Sequence, residues 1–352
     1  MSNFIIRKVA VLGAGVMGAQ IAAHLVNAGV EVVLFDLAAK EGPKNGIAEK
    51  AIAALPKLNP APLGRPELAA FIKPANYDEH LNLLGECELI IEAIAERMDW
   101  KHDLYSKIAP HVGAHTILAS NTSGLSITEL AEGFDDELKQ RFCGVHFFNP
   151  PRYMHLVELI PTAATDAGIL ARLETFLVST LGKGVVHAKD TPNFIGNRVG
   201  IYGMLATIKE AEKFGLSYDV VDDLTGARLG RANLADDPFA PLYETPAVLA
   251  ALIDKGALGQ KAGAGFYQKQ GKQIMRLDPA KGEYVPAGAK AAETVARILK
   301  KKSWAERLQL LRESDNPQAQ FLWAVMRDGM QYAAIKLEEI ADNARDLDMA
   351  LR

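Results

Sequence analysis

Cysteine is scarce in this chain: there are two in 352 residues, Cys87 and Cys143, each inside an apolar, strand-like run. Placed so, they read as buried apolar side chains rather than a disulfide, and two alone make no metal site. No metal is expected. Neither sign of charge dominates: the net charge of −4 gives no reason to expect nucleic acid or an anionic membrane as partner. No apolar run is long enough to cross a bilayer. Residues 1 to 11 pass directly into a strand without a secretory pattern, so a reducing cytoplasm is the expected setting. What remains is an ordinary globular composition, 49% hydrophobic and 23% charged. The length suffices for two domains, or three.

The first informative stretch is Lys8 to Leu12 (KVAVL), a β-rich run followed at once by Gly13-Ala14-Gly15-Val16-Met17-Gly18. A helical pattern then runs from Ala19 to Ala28, and a second strand, Glu31 to Phe35, ends in Asp36. A lone G-x-G-x-x-G is weak evidence. Here it follows a strand, opens a helix and precedes an acid at the end of the next strand, which is the context a dinucleotide requires. Gly13 suits the tight turn, Gly15 the approach of a pyrophosphate and Gly18 helix–strand packing. The helix N-terminus offers amides and dipole to the phosphates. Asp36 would accept from the adenine-side ribose hydroxyls and repel a 2′-phosphate, favouring NAD over NADP.

Leu89 to Ile94 and Thr116 to Ala119 read as buried parallel strands. Ligands in open α/β sheets lie beyond the carboxyl ends of the strands. Glu96 to Lys101 and Ser120 to Ser123 therefore converge with the glycine turn on one crevice. Ser126 and Thr128 read more simply as helix-cap residues. Phe142 to Phe148 and His155 to Ile160 form a strand pair about a proline turn, which sets His146 opposite Glu158. An imidazole beside a carboxylate is the minimal general base held in one tautomer. His24, His80, His102, His111, His115, His155 and His187 read as solvated or packing residues.

Thr165 to Leu181 predicts an amphipathic helix, Gly184 to Lys189 a last strand, and Asp190-Thr191-Pro192 a break, after which the pattern turns wholly helical. Asn193 to Phe214 predicts a long helix. Asn197 in its first turn is either a surface or capping amide or a crevice residue. The chain from Phe194 to Leu224 matches Phe321 to Leu351 in side-chain pattern, an internal repeat in which Ala324 replaces Asn197. A second copy that retains the packing face and loses the polar residue favours function for Asn197. Residues 289 to 311 read as a basic, solvated amphipathic helix.

Together these motifs resemble the L-3-hydroxyacyl-CoA dehydrogenase family. The carrying segments are GAGVMG at 13–18, IEAIAE ending at Glu96, SNTSGLSI at 120–127, His146 to Glu158, TPNFIGNR at 191–198 and GQKAGAGFY at 259–267. The fold implied is a Rossmann α/β domain over 1–190, with a mostly parallel doubly wound sheet and the His146–Glu158 hairpin at one edge. An all-α C-terminal region follows, with a substrate and closure domain at 191–288 and a degenerate second helical unit at 289–352. The resemblance implies NAD-dependent oxidation of an (S)-3-hydroxyacyl-CoA thioester, as in fatty-acid β-oxidation. His146 would act as base, oriented by Glu158, with Ser123 and Asn197 on the reacting oxygen. Gly13, Gly15, Val16, Met17, Gly18, Asp36, Glu96, Lys101, Ser123, Asn149 and Lys261 fall on cofactor positions. Lys57 matches a lysine that meets the CoA phosphates, and Lys50 near the mouth suits the same charge. A fused or associated enoyl-CoA hydratase module, and a monomer or homodimer, belong to the same expectation. Alternatives are a dehydrogenase of a free 3-hydroxy acid and a non-catalytic NAD-binding or assembly subunit.

The chain departs from the family pattern at Ala227, where proline is usual, and between Ala232 and Asp236, where some two dozen residues are missing. The pattern of the second unit would also continue beyond Arg352.

Overall fold

The computed structural model describes residues 5–225, 246–259 and 262–351. The chain divides into two compact units, one of residues 1–197 with 337–352 and one of residues 198–336. This division differs from the three-part expectation, because the last stretch of chain packs with the first unit. Its backbone meets β8 there: Ala188 bridges to Ala341, and Lys189 N donates to Ile340 O at 3.0 Å.

The first unit is built on β1 (Lys8–Leu12), β2 (Glu31–Asp36), β3 (Ile72–Asn76), β4 (Leu89–Glu92), β5 (Ile117–Ser120), β6 (Phe142–Phe147), β7 (Leu156–Pro161) and β8 (Gly184–His187). They form one sheet in the order β3-β2-β1-β4-β5-β6-β7-β8, with every neighbouring pair parallel except β6 and β7. The strands are apolar at successive positions because side chains are buried on both faces, as a parallel sheet demands. Around them lie α1 (Val16–Asn27), α2 (Gly46–Ala54), α3 (Met98–Ile108), α4 (Ile127–Leu130), α5 (Asp136–Gln140) and α6 (Ala167–Ser179). The order reverses between β1 and β4, which opens a crevice at their carboxyl ends.

Three features differ from the expectation. Strand β3 carries Pro74 and lacks an apolar run; as an edge strand it tolerates the missing donor. The hairpin of β6 and β7 lies one strand in from the sheet edge, since β8 pairs outside β7. Helix α7 (Gly196–Lys213) starts later than its pattern suggests, because Asn193 and Phe194 adopt φ of 63° and 52°.

The boundary between the units falls within α7. The second unit holds α8 (Tyr218–Thr225), α9 (Ala247–Asp254), α10 (Glu293–Leu299), α11 (Trp304–Glu313) and most of α12 (Pro317–Ile340). It is not wholly helical: β9 (Tyr267–Gln270), β10 (Gln273–Asp278) and β11 (Glu283–Pro286) form an antiparallel meander. These strands are largely polar and solvated, so they lack the apolar signal that marks a strand. The basic stretch at 289–311 is two helices, broken before Ser303, which caps the second through Glu306 N. Helices α7 and α12 end at Lys213 and Ile340, 127 positions apart, and each leads into a short helix, α8 and α13 (Ala344–Ala350), though α12 is the longer of the two. Within the second unit Tyr202 of α7 stacks on Tyr332 of α12 with ring centroids 4.0 Å apart. Ala227 and the 232–236 junction lie outside the described residues.

Candidate active site

The site begins at the turn between β1 and α1. Gly13 has φ of 103°, and a Cβ there would stand 2.8 Å from Ala93 O. A Cβ on Gly18 would stand 1.8 Å from Gly13 O, so only glycine lets α1 lie this close to β1. Around Gly15 nothing lies within 4 Å of a built Cβ, leaving open space at the first amides of α1. No side chain caps that helix and no acid occupies its first turn, so its amides and dipole face the space unneutralised. Val16 is exposed and Met17 half-buried beside it. Asp36 ends β2 with Oδ2 accepting from Ala14 N at 2.6 Å and Oδ1 from Leu37 N at 2.7 Å. The residues fit a dinucleotide: the turn could hold its pyrophosphate, and the Asp36 carboxylate a ribose hydroxyl.

The strand register places His146 opposite Glu158, and His146 Nδ1 lies 2.6 Å from Glu158 Oε2. Both are buried, at 3% and 0% exposure. A carboxylate can only accept, so Nδ1 carries the shared proton and Nε2 is left as the basic nitrogen. The other oxygen, Oε1, accepts from Ile195 N at 3.0 Å and Gly196 N at 2.8 Å. Those amides point inward because Asn193 and Phe194 take left-handed backbone, an uncommon conformation for a phenylalanine. Phe148 and Phe194 hold the imidazole, with centroids 4.4 Å and 5.7 Å from it. A Cβ on Gly196 would stand 2.8 Å from the Phe148 ring, so this wall leaves no room for a larger residue.

Asn121 joins this pair to the loop after β5: its Oδ1 accepts from Phe147 N at 2.9 Å. On that loop Glu96 Oε1 accepts from Ser123 N at 2.7 Å, Gly124 N at 3.2 Å and the Thr122 hydroxyl. Ser123 is exposed, and Asn197 Nδ2 donates to its carbonyl at 3.4 Å. The structure therefore brings Ser123, Asn197 and Glu96 together. Ser126 caps α4, as its pattern suggests, and Asp190 accepts from Ile127 N and Thr128 N at 2.8 Å each. Asn149 lies against α1, where Gln20 Nε2 donates to its Oδ1 at 3.4 Å.

Lys101, for which the resemblance implies a cofactor contact, lies within the wall of the crevice. It is 0% exposed, and its ammonium donates to Glu92 Oε1 at 2.6 Å and Oε2 at 2.8 Å, with Glu96 Oε2 3.7 Å away. Glu92, with Glu96 beside it, offsets the charge buried there. Glu92 also accepts from Tyr105 OH, Ser120 Oγ and Ile94 N at 2.7–2.8 Å. Lys50 and Lys57 are exposed on α2 and the turn after it. Lys261 lies outside the described residues. Glu92, Asn121, Phe148 and Phe194 were not singled out beforehand. Glu92 had a signal, an acid inside an otherwise apolar strand, whereas the other three depend on long-range register.

Residues 8–191 match the family model described as 3-hydroxyacyl-CoA dehydrogenase, NAD binding domain. The chain belongs to the 3-hydroxyacyl-CoA dehydrogenase family. Its cofactor is accordingly NAD. A relative in Deinococcus radiodurans, named "Probable 3-hydroxyacyl-CoA dehydrogenase", is 39% identical over 75% of this chain and 83% of its own. One of the same name in Bacillus subtilis is 36% identical over 99% of this chain. The chain spans about half the length of that relative, 49%. The match runs over 386 aligned residues, more than the 352 of this chain, so the relative carries residues within it that this family member lacks. The crystal structure of M. tuberculosis FadB2 matches with a TM-score of 0.60 and 30% identity, over 76% of this chain and 100% of that one.

Proposed function

We propose that this family member oxidises (S)-3-hydroxyacyl-CoA thioesters to 3-oxoacyl-CoA with NAD. The observation that carries the reading is the buried His146–Glu158 pair, which leaves one imidazole nitrogen for a substrate proton. His146 Nε2 takes the proton of the 3-hydroxyl. Bound NAD supplies the acceptor for the hydride that leaves the same carbon. Glu158 keeps the imidazole in its tautomer and stabilises the imidazolium, while its own charge is held by the amides of Ile195 and Gly196. Ser123 and Asn197 hydrogen-bond the oxygen that becomes the ketone, matching donors to the place where negative charge develops.

Gly13, Gly15, Val16, Met17, Gly18, Asp36, Glu96, Asn149 and Lys261 contact the cofactor in this reading, with Lys101 held behind them. Lys50 and Lys57 meet the phosphates of CoA. Association with an enoyl-CoA hydratase module belongs to the same proposal, because hydration of an enoyl thioester yields this substrate. A cytoplasmic setting is part of the same proposal. Among the described residues no helix is long and apolar enough to cross a membrane.

The test mixes protein, NADH and acetoacetyl-CoA and follows NADH absorbance. Consumption of NADH with the thioester, and none with free acetoacetate, supports the reading. Equal rates with both would mark a free-acid dehydrogenase. NADH bound but never oxidised would mark a non-catalytic NAD-binding subunit.

A further inference from the structure

The crevice extends past Asp36 into a cavity of about 500 Å³, lined by Gly13, Asp36, Tyr77, Ile94, Trp100 and Leu104 among others. Tyr77 is the unusual member. It is 4% exposed, yet its hydroxyl has no hydrogen-bond partner among the described residues. A buried hydroxyl without a partner is disfavoured and uncommon, so its presence calls for a cause.

Tyr77 is held through its backbone and its ring. Its amide donates to Asp36 O at 3.2 Å, and its ring stacks on Phe35 with centroids 5.9 Å apart and planes 16° from parallel. The turn that follows is fastened by Asn76, whose Oδ1 accepts from Asp78 N at 3.0 Å and Glu79 N at 2.9 Å. Asp78 pairs with Lys107 of α3 at 2.9 Å, which ties the turn to the far wall of the cavity. These contacts fasten the turn and seat the ring on Phe35. Gly13 and Asp36 of the same crevice both act on the phenol, the Gly13 backbone favouring its charged form and the Asp36 charge opposing it. Both Asp36 oxygens already accept from the amides of Ala14 and Leu37. Burial first, and then the charges of Asp36 and Glu92, hold the phenol pKa well above its ordinary value, so the group stays a donor.

We infer that Tyr77 is a further cofactor-binding residue, its hydroxyl donating a hydrogen bond to an oxygen of the adenosine ribose-phosphate of NAD. The assignment rests on the NAD reading of this unit and adds a contact to it. The bound cofactor would satisfy a donor that the free protein leaves unpaired, so the contact is fully present only in the complex. Tyr77 and Asp36 then act as a pair from adjacent strand ends, a neutral donor beside an anionic acceptor.

The test is Tyr77→Phe, which retains the ring that stacks on Phe35. Affinity for NADH, followed by its fluorescence, is expected to fall roughly three- to ten-fold, the loss of one neutral hydrogen bond. ADP-ribose should show the same fall and nicotinamide mononucleotide none. Loss already present with adenosine assigns the acceptor to the ribose; loss first seen with AMP assigns it to the phosphate. The melting temperature of the free variant is expected to equal or exceed that of the wild type, because an unsatisfied hydroxyl has been removed. A lowered melting temperature accompanied by the same weakening for every ligand would overturn the assignment in favour of a structural role. Wild-type binding of NADH with unchanged affinity in the variant overturns the Tyr77 contact alone. A wild type that fails to bind NADH overturns the NAD reading and the contact with it.

Discussion

His146 and Glu158 face each other across adjacent antiparallel strands with 2.6 Å between Nδ1 and Oε2, and neither reaches solvent appreciably. The pair lies at the sheet's one antiparallel junction among the described residues, away from the glycine turn proposed to hold the cofactor. Chemistry and cofactor binding should therefore separate. His146→Gln is expected to lower kcat by about 10²–10⁴-fold, the range for loss of a general base. NADH affinity, measured by fluorescence titration, should stay nearly constant. A parallel loss of cofactor binding would show that the imidazole is structural.

Asp36 accepts from Ala14 N, and its carboxylate is proposed to meet the adenine-side ribose. Asp36→Ala should weaken NAD binding roughly ten- to a hundred-fold, because a charge-assisted acceptor is lost. The preference for NAD over NADP should narrow at the same time, since the charge that repels a 2′-phosphate is gone. Titration of both cofactors with wild type and variant decides the matter. An unaltered preference would remove Asp36 from the ribose.

Lys101 and Glu92 form an ion pair with side-chain exposures of 1% and 0%. Removing one partner leaves an uncompensated charge in the wall of the crevice. Lys101→Met is expected to destabilise the protein by about 3–5 kcal/mol, the usual range for a broken buried pair. Adding Glu92→Gln to that variant should recover part of the loss, because the stranded charge disappears. Urea unfolding of the three proteins reads this directly. A loss of stability that the second substitution deepens would mean that the Glu92 charge is held by Tyr105, Ser120 and the Ile94 amide without the lysine.

Much of the site was legible because its parts sit at the ends of apolar runs. The glycine turn, Asp36, the 120–123 loop and the His146–Glu158 register all follow from strands that announce themselves by burial on both faces. What escaped notice depends on geometry that no run encodes. Phe194 in left-handed backbone turns two amides toward Glu158, and nothing in its side chain signals that conformation. Strand β3 was hidden by Pro74, and the meander at 267–286 by its polar, solvated residues. The resemblance implies a cofactor contact for Lys101, and nothing in the residues around it signals how far the lysine turns inward.

Lys183 is another buried amine, at 4% exposure, and it lies beneath the turn that joins the strands of His146 and Glu158. Its ammonium donates to the carbonyls of Pro151 and Met154, with no carboxylate in ion-pair range among the described residues. Burial pushes its pKa down to about 8 from an ordinary 10.5. Between those two pH values the unfolded chain binds more protons than the folded one, so stability rises with pH across that window. Below the lower value both states are protonated and the contribution is flat. His24 nearby is held neutral throughout this range, its pKa lowered to about 4 by burial and then by the Lys183 charge. Lys183→Met removes the titration, and Lys183→Arg remains charged across the window. Urea unfolding from about pH 7 to about pH 10 should show a larger rise in wild type than in either variant. Equal rises in all three would mean that the lysine keeps its solvated pKa and that the turn is held by other contacts.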